Sequence, residues 1–443
     1  MRGAEDGFGH SDRIVGSIVD MAGVSRAKVL PISRLSTFVD SGAGASPSWT
    51  VFCVDGHLAF TPSFSVVGDL RLRIGGDDVR DLGNGTYWAP ACLTEQDGTP
   101  SLACARGALR RAATRLAESG LTARIGHEIE FTLFDAATVE EWSAYGLNAV
   151  LTQEEFLERL LAAASTAELP IEQVHAEAGL NQFEVSLAPA DPVTAADNSV
   201  LARALISRVA RAQGLRASFS PMPVAGGAGT PMPVAGGAGN GAHQHVSMFE
   251  GDLPILSGGP GPHGLTPAGG AAVAGILRAL PEFTAVLAGS ALSHLRLRPG
   301  MWAGVFRCWG LENREAAVRL CAATAGNPHG ANLEIKPIDP SANPYLSSAA
   351  ILGAAHDGIA AALPLPDEVS VDPAELTEGH AVDLLPTLPS DVLGAFRSSA
   401  LARDLFGPLI MEALAAVKGY EHAEYRDKPV DEVAQRFRYA WTS

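Results

Sequence analysis

Polar and apolar residues alternate along RIGHEIEFTLFD at 124–135, a period that predicts a strand with Glu128, Glu130 and Thr132 on one face and Ile129, Phe131 and Leu133 on the other. The same period returns in the second half of VHAEAGLNQFEVSLAP at 174–189, setting Gln182, Glu184 and Ser186 opposite Phe183, Val185 and Leu187. Glu177 lies just across a glycine-containing connection, so Glu177 and Glu184 can project from adjacent strands. AHQHVSMF places His243, His245 and Ser247 on one face. ANLEIKPIDP gathers Asn332, Glu334 and Lys336 against Leu333 and Ile335. Separate strands thus each carry acids or imidazoles on one side and apolar residues on the other.

Helical periodicity fills the intervals. RGALRRAATRLAES at 106–119 closes on Gly120, a C-terminal cap, and Ala-rich amphipathic helices are expected at 152–167, 190–213 and 266–289. From about 348 the chain reads as mostly helical. Before the first helix, residues 12–75 read as short strands and turns, with strands in RAKVLPI, WTVFCVDG and VVGDLRLRI, and 76–105 read as turn-rich. Two domains are expected, 1–105 and 106–443. Strands mixed with helices but lacking a βαβ rhythm predict an α+β fold with helices on one side of a sheet.

Composition narrows the possible functions. With 443 residues, 47% hydrophobic and 18% charged, the chain can bury a sizeable interior and is not disordered. Its net charge is −17, Lys occurs only at 28, 336, 418 and 428, and no basic stripe tracks a phosphate backbone, so no nucleic-acid partner is expected. The five cysteines lack metal-type spacing and read as reduced core residues of a cytoplasmic protein. The opening MRGAEDGFGHSDR has no apolar signal core, and the apolar stretches 271–292 and 348–363 are broken by Arg278, Glu282, His356 and Asp357, so no membrane partner is expected.

The polar faces carry the chemistry. Singly, each would serve as a solvated face; together, five carboxylates on one sheet repel one another and invite cations. An oxygen-rich site with a single imidazole suits Mg²⁺ or Mn²⁺ better than zinc. SHLRLRPGMWAGVFRCWGLENREAAVRL at 293–320 adds Arg296, Arg314 and Arg319. Hard cations with several arginines are equipment for stabilising a phosphoryl group in transfer.

GHEIEFTLFD, HAEAGLNQFEV, GNGAHQHVS, the RLRPG…ENREAAVRL run and LEIKPIDPSANPYL, in that order from 126 to about 346, resemble the glutamine synthetase family and its γ-glutamylamide synthetase-like branch. The resemblance implies a small N-terminal β-grasp domain and a large catalytic domain whose curved antiparallel sheet is backed by helices. It implies a homo-oligomeric ring, a dodecamer, with active sites between subunits. ATP is the implied co-substrate with two or more Mg²⁺ or Mn²⁺ ions, and glutamate and a small amine are the implied substrates. By position, Glu130, Glu177 and Glu184 resemble ligands of the metal on the glutamate side, and Glu128, His243 and Glu334 those of the metal bridging the phosphates of ATP. Asn240, Gly241 and Arg296 match glutamate-binding positions, Arg314 and Arg319 phosphate-binding arginines, and His245 and Ser247 lie near the expected nucleotide. Asp55 resembles the aspartate that a neighbouring subunit brings to the amine.

The departures from the family pattern concern the substrates. Ammonia-using members usually carry PGYEAP after the Arg-rich run, where this chain has PGMWAG, with Trp302 in place of the glutamate. An indole cannot accept a proton but offers an aromatic wall to an organic amine. In Glu334-Ile-Lys336-Pro-Ile-Asp339, lysine replaces the family's arginine and lacks its fork. Val382 stands where some bacterial members carry an adenylylated tyrosine. PMPVAGGAG occurs twice, at 221–229 and 231–239, a tandem duplication expected to bulge outward ahead of Asn240. The expected activity is ATP-dependent formation of a γ-glutamyl amide from glutamate and an organic amine through γ-glutamyl phosphate. The alternatives are an ammonia-using glutamine synthetase and a catalytically silent, nucleotide-binding structural assembly.

Overall fold

In the computed structural model, which describes residue 9 and residues 11–136, 142–225, 239–377 and 381–441, some of the apolar residues of the first hundred positions build a core of their own, while Val19, Met21, Phe64 and Trp88 join the large core of the rest of the chain. Ile14, Ile18, Phe38, Leu72 and Ile74 are the centre of the N-terminal core. Above it lie β1 (Arg13–Val19), β2 (Ser25–Pro31), β3 (Ala43–Ala45), β4 (Leu70–Ile74), β5 (Arg80–Asp81) and β6 (Thr86–Thr94), in the order β2-β1-β6-β4-β3 with β5 beside β6. β1 and β6 run parallel. Helix α1 (Leu35–Asp40) brings Phe38 so close to β1 that a Cβ on Gly16 would fall 2.5 Å from its ring, so only glycine fits there.

Two local expectations fail here. Residues 76–105 hold the central strand β6 rather than turns alone; the Gly, Asp, Asn and Pro residues flank it, and Pro90 sits at the last position of its parallel pairing with β1. WTVFCVDG is not a strand. Ser46 accepts a hydrogen bond from Ser48 N–H and Pro47 follows it, which starts a 3₁₀ turn over Pro47–Val51. Val51 and Cys53 then enter the large core of the C-terminal region.

The second sheet comprises β7 (Leu121–Phe134), β8 (Ile171–Ala176), β9 (Gln182–Leu187), β10 (Arg216–Ser218), β11 (Gln244–Glu250), β12 (Leu253–Pro254), β13 (Phe306–Leu311), β14 (Ala316–Cys321) and β15 (Asn332–Ile335). Its order is β13-β14-β15-β11-β7-β9-β8, with β10 on β7 and β12 on β11. Every pair is antiparallel except β13 with β14 at one end, so the expected antiparallel sheet backed by helices is present with one parallel edge pair. Alternation assigns residues to faces; it does not set a neighbour's direction.

The helices are α2 (Ala105–Glu118), α3 (Leu147–Thr152), α4 (Glu154–Thr166), α5 (Pro192–Ala212), α6 (Pro267–Leu287), α7 (Ser293–Arg296), α8 (Pro344–Ala360), α9 (Pro389–Ser398), α10 (Ala400–Tyr425) and α11 (Val430–Phe437). Three long ones begin at a capping side chain followed by proline: Asp191-Pro192, Thr266-Pro267 and Asn343-Pro344. Helices α2 and α5 pack on β7, and Ile125, Ile129, Phe131 and Leu133 of that strand are buried in the same core. Helix α6 is long and apolar enough to cross a membrane, yet it lies buried against α8, where a Cβ on Gly275 would stand 2.7 Å from Gly358 Cα. From 226 to 238, the duplicated segment expected to bulge outward lies outside the described residues.

Asn343 ties the start of α8 to the end of β1 in the N-terminal sheet. Its Oδ1 accepts from Tyr345 N–H and Leu346 N–H at the start of α8, while its Nδ2 donates to Val19 O and Asp20 O at the end of β1. Asn343→Ala removes the cap and strands two buried carbonyls, with an expected loss of about 2–4 kcal/mol. Urea unfolding of the variant beside the parent measures it, and Asn343→Asp, which keeps the cap but sets a buried carboxylate oxygen against the same two carbonyls, is expected to lose at least as much.

Candidate active site

The strand registers determine what meets on the polar face. Glu130 of β7 stands directly opposite Glu184 of β9, which stands opposite His175 of β8. On the other side of β7, His245 of β11 faces Glu334 of β15, which faces Arg319 of β14. All of these side chains but His245 surround a cavity of about 650 Å³. Of the residues singled out in the sequence, Glu128, Glu130, Glu177, Glu184, His243, Arg296, Trp302, Arg314, Arg319, Glu334 and Lys336 line it.

Among the described residues, three groups bring their ligand atoms within 4.8 Å of one another: Glu128, His243 and Glu334; Glu130, Glu184 and His243; and His175, Glu177 and Glu184. The first is the set expected for one metal. The set expected for the other is divided: Glu184 is shared between Glu130 and Glu177, and His175 joins it. His175 Nε2 lies 2.8 Å from Glu177 Oε1. His175 and Glu177 are two apart and in phase, so the alternation could have revealed it. Tyr145 stacks on the His175 ring at 5.7 Å and also lines the cavity, but its loop carries no periodic signal.

Like charges directly across an antiparallel pair destabilise a sheet. Burial, and next the Glu177 carboxylate, push Glu130 up to about 7, and burial with Glu128 and Glu130 raises Glu184 well above the carboxylate range. The neighbouring set is compensated. Burial works against Glu128 and Glu334, but His245 and His243 hold Glu128 well below its ordinary value, and Lys336 with His243 holds Glu334 at about 2. Lys336 Nζ donates to Glu334 Oε1 at 2.9 Å and Arg319 Nη1 to Glu334 Oε2 at 2.9 Å. Burial, then Lys336, lowers His243 to about 4, which keeps its imidazole neutral as a metal ligand must be. A neutral imidazole among carboxylates too crowded to be fully ionised fits a hard divalent cation.

Arg296, at the end of α7, donates through Nη2 to His243 Nε2 at 2.8 Å. Its buried Nη1 has no partner among the described residues. A buried guanidinium N–H left unpaired is costly, and an anionic ligand would satisfy it. Gly241 makes room for this crowding: a Cβ there would sit 2.5 Å from Glu130 Oε1 and 2.6 Å from Arg296 Nη2.

Asn240 does not line the cavity. It donates to Ser218 O and Ser220 O, and its Oδ1 accepts from Gln182 Nε2 at 3.0 Å, so its amide is spent on its own loop. Gln182 also lies 2.9 Å from Glu130 Oε2, an orienting role that its shared face with Glu184 made legible only as position. His245 and Ser247 sit behind the cavity wall, His245 Nε2 lying 3.0 Å from Glu128 Oε1 and Ser247 Oγ donating to Ala331 O. Asp55 does not line this chain's own cavity; it is hydrogen-bonded by Tyr425 and Tyr420 at 2.7 and 3.3 Å. Trp302 is 47% exposed at the cavity, in a left-handed turn (φ 49°) whose N–H Glu315 Oε1 accepts at 2.9 Å. It does not pack into the core.

Residues 102–436 match the glutamine synthetase catalytic-domain family. The chain is 38% identical over 444 residues to the gamma-glutamylpolyamine synthetase GlnA3 of Streptomyces coelicolor, covering 97% of this chain and 93% of that protein. It is 30% identical to a glutamine synthetase of Pyrococcus abyssi, covering 88% and 85%. Among solved structures, a novel glutamine synthase homolog superposes with a TM-score of 0.87 at 29% identity over 97% of this chain and 99% of the other. The fold is also that of apo GmaS, with a TM-score of 0.81 at 24% identity over 96% of each chain.

The opposed carboxylates set up a test by metal addition. Mn²⁺ at a hundredfold excess over its dissociation constant should stabilise the protein by ~2.7 kcal/mol per site. Glu184→Gln is expected to melt higher than the parent in chelator at neutral pH, because the folded protein no longer has to hold a proton on a buried carboxylate that ionises freely once unfolded, and to lose most of the Mn²⁺-dependent rise. Calorimetry of both proteins with and without Mn²⁺ reads the two effects separately.

Proposed function

Because the chain belongs to the glutamine synthetase family, we propose that it joins the γ-carboxylate of glutamate to an organic amine, a polyamine foremost, in an ATP-dependent reaction. The family makes it an ATP-dependent ligase; the identity of the amine is the new step. The observation that carries it is Trp302, an exposed indole at the cavity where ammonia-using members resembling this chain usually carry glutamate. An ammonium ion needs a carboxylate to hold it and take its proton, which an indole cannot do. An alkylammonium gains a cation–π contact and apolar area there. The likeness to a gamma-glutamylpolyamine synthetase supports the same reading.

The remaining roles are those the family resemblance implies for these positions. Two Mg²⁺ or Mn²⁺ ions, one for Glu128, His243 and Glu334 and the other for Glu130, Glu177 and Glu184, would neutralise the phosphates and polarise the transferring group. Arg296, with its unpaired Nη1, would receive the α-carboxylate of glutamate, beside the main chain of Asn240 and Gly241. Lys336 supports this end as a point charge held by Glu334. Arg314 and Arg319 would flank the phosphoryl group, Arg319 already steadied by Glu334 and Glu312. His245 and Ser247 are assigned to the nucleotide side.

In the reaction a glutamate γ-oxygen attacks the terminal phosphorus of ATP and ADP leaves. The amine nitrogen then attacks the acyl carbon and phosphate leaves, a far better leaving group than oxide. The proton shed by the amine needs a carboxylate base. We assign that role to Asp55 of a neighbouring subunit. Burial opposes its ionisation, but the Tyr425 hydroxyl, the His57 N–H and the Tyr420 hydroxyl hold it below the ordinary carboxylate value. This reading takes 1–105 and 106–443 as domains of a cytoplasmic dodecamer, with the separate N-terminal core in support.

Phosphate release from ATP, Mg²⁺ and glutamate with a panel of amines tests the proposal. Turnover is expected with an organic amine and little with ammonium. Trp302→Ala should raise KM for the organic amine by about 2- to 30-fold, the equivalent of ~0.5–2 kcal/mol of cation–π energy, and leave that for ammonium unchanged. Turnover with ammonium alone would return the chain to glutamine synthesis, and silence with every amine would mark an assembly without catalysis.

A further inference from the structure

Outside the cavity, two thiols meet where the N-terminal sheet passes into the first long helix. Cys104 is the N-cap of α2, and its Sγ accepts from Gly107 N–H and from Leu93 N–H at 3.4 Å each. Leu93 is the neighbour of Cys92 on β6, so this bond sets the Cys104 sulfur beside Cys92, and the two thiols shift each other's ionisation in opposite directions. Cys92 is only partly buried, and two guanidiniums approach its sulfur, Arg106 Nη1 at 3.5 Å and Arg110 Nη1 at 3.6 Å. Arg106 in turn binds Asp197 of α5 at 2.6 Å and Asp78 at 3.2 Å.

We propose that Cys92 and Cys104 form a reversible disulfide when the protein meets hydrogen peroxide. The geometry gives the two sulfurs different roles. The hydrogen bond from Cys104, with Arg106 and Arg110, holds Cys92 at about 6 against the effect of burial, and the same contact, together with burial, keeps Cys104 protonated. Cys92 is therefore the nucleophile and Cys104 the resolving thiol. The Cys92 thiolate attacks one peroxide oxygen, the O–O bond breaks, and hydroxide leaves and is protonated to water, giving a sulfenic acid. The Cys104 sulfur attacks the Cys92 sulfur, the S–O bond breaks, and the second hydroxide leaves as water with the proton Cys104 gives up. Two thiols lose two electrons and one peroxide becomes two waters. The bond removes the negative charge from Arg106 and Arg110 and pins β6 to the cap of α2.

Both cysteines fall in the single tryptic peptide 81–106, so the product is read directly. The full-length protein is exposed to equimolar hydrogen peroxide under native conditions, alkylated and digested. The peptide is expected to lose two hydrogens, to resist alkylation, and to recover both on treatment with dithiothreitol. In Cys104→Ser, Cys92 should be trapped by dimedone as the sulfenic acid; in Cys92→Ser, Cys104 should stay reduced. Oxidation of Cys53, Cys308 or Cys321 while Cys92 remains reduced would overturn the proposal. So would oxidation of Cys104 in the Cys92→Ser protein.

Discussion

Glu130 and Glu184 face each other across hydrogen-bonded strands, and both are buried. No folded chain gains stability from that arrangement in the absence of a cation, and much of the catalytic half can be read as its consequence. Five strands must lie side by side to bring His175, Glu184, Glu130, Glu128, His245 and Glu334 together, so a sheet of antiparallel neighbours is required. A sheet with charges on one face needs apolar cover on the other, which α2 and α5 provide on β7. Where charge is balanced inside the protein, as at Glu334 between Lys336 and Arg319, the carboxylate is already ionised. Where it is not, at Glu130 and Glu184, the deficit is left for a ligand to fill.

The cationic side is built on the same terms. Arg296 is buried with one nitrogen on His243 and another unpaired. Gly241 leaves no room for a side chain between that guanidinium and Glu130, so a proposed anion site and a proposed cation site share a wall. Gln182 reaches both Glu130 and Asn240, linking the carboxylates to the loop that leads into β11. Trp302 stands apart from this network, tied through its backbone to Glu315. Its ring can vary with the amine while the phosphoryl chemistry remains in place.

Much of this was legible in the sequence because period-two alternation is a direct record of strand faces. Glu128 and Glu130, Glu184, His243 and Glu334 were all placed by it, and the cap-plus-proline pairs mark three helix starts that periodicity alone blurred by a few residues. Register was not legible. That Glu184 lies opposite both Glu130 and His175 depends on strand pairing, so the division of carboxylates between two sites could only be assigned by resemblance. Strand β6 was hidden by the turn residues flanking it and by Pro90, which its place at the end of the parallel pairing accommodates. The 3₁₀ turn at Pro47–Val51 was hidden because its apolar residues serve two cores, Trp49 the N-terminal one and Val51 one built from residues far along the chain. Tyr145 had no pattern to betray it, and Asp55 does not line the cavity of its own chain.

The central claim is that this chain phosphorylates glutamate and passes the acyl group to an organic amine. Glutamate labelled with ¹⁸O in its γ-carboxylate, incubated with the enzyme, ATP, Mg²⁺ and a polyamine, tests it in one mass-spectrometric measurement. The account predicts one ¹⁸O in the released phosphate and a γ-glutamyl polyamide that retains the other. Unlabelled phosphate, or product that appears only when ammonium replaces the polyamine, would contradict it.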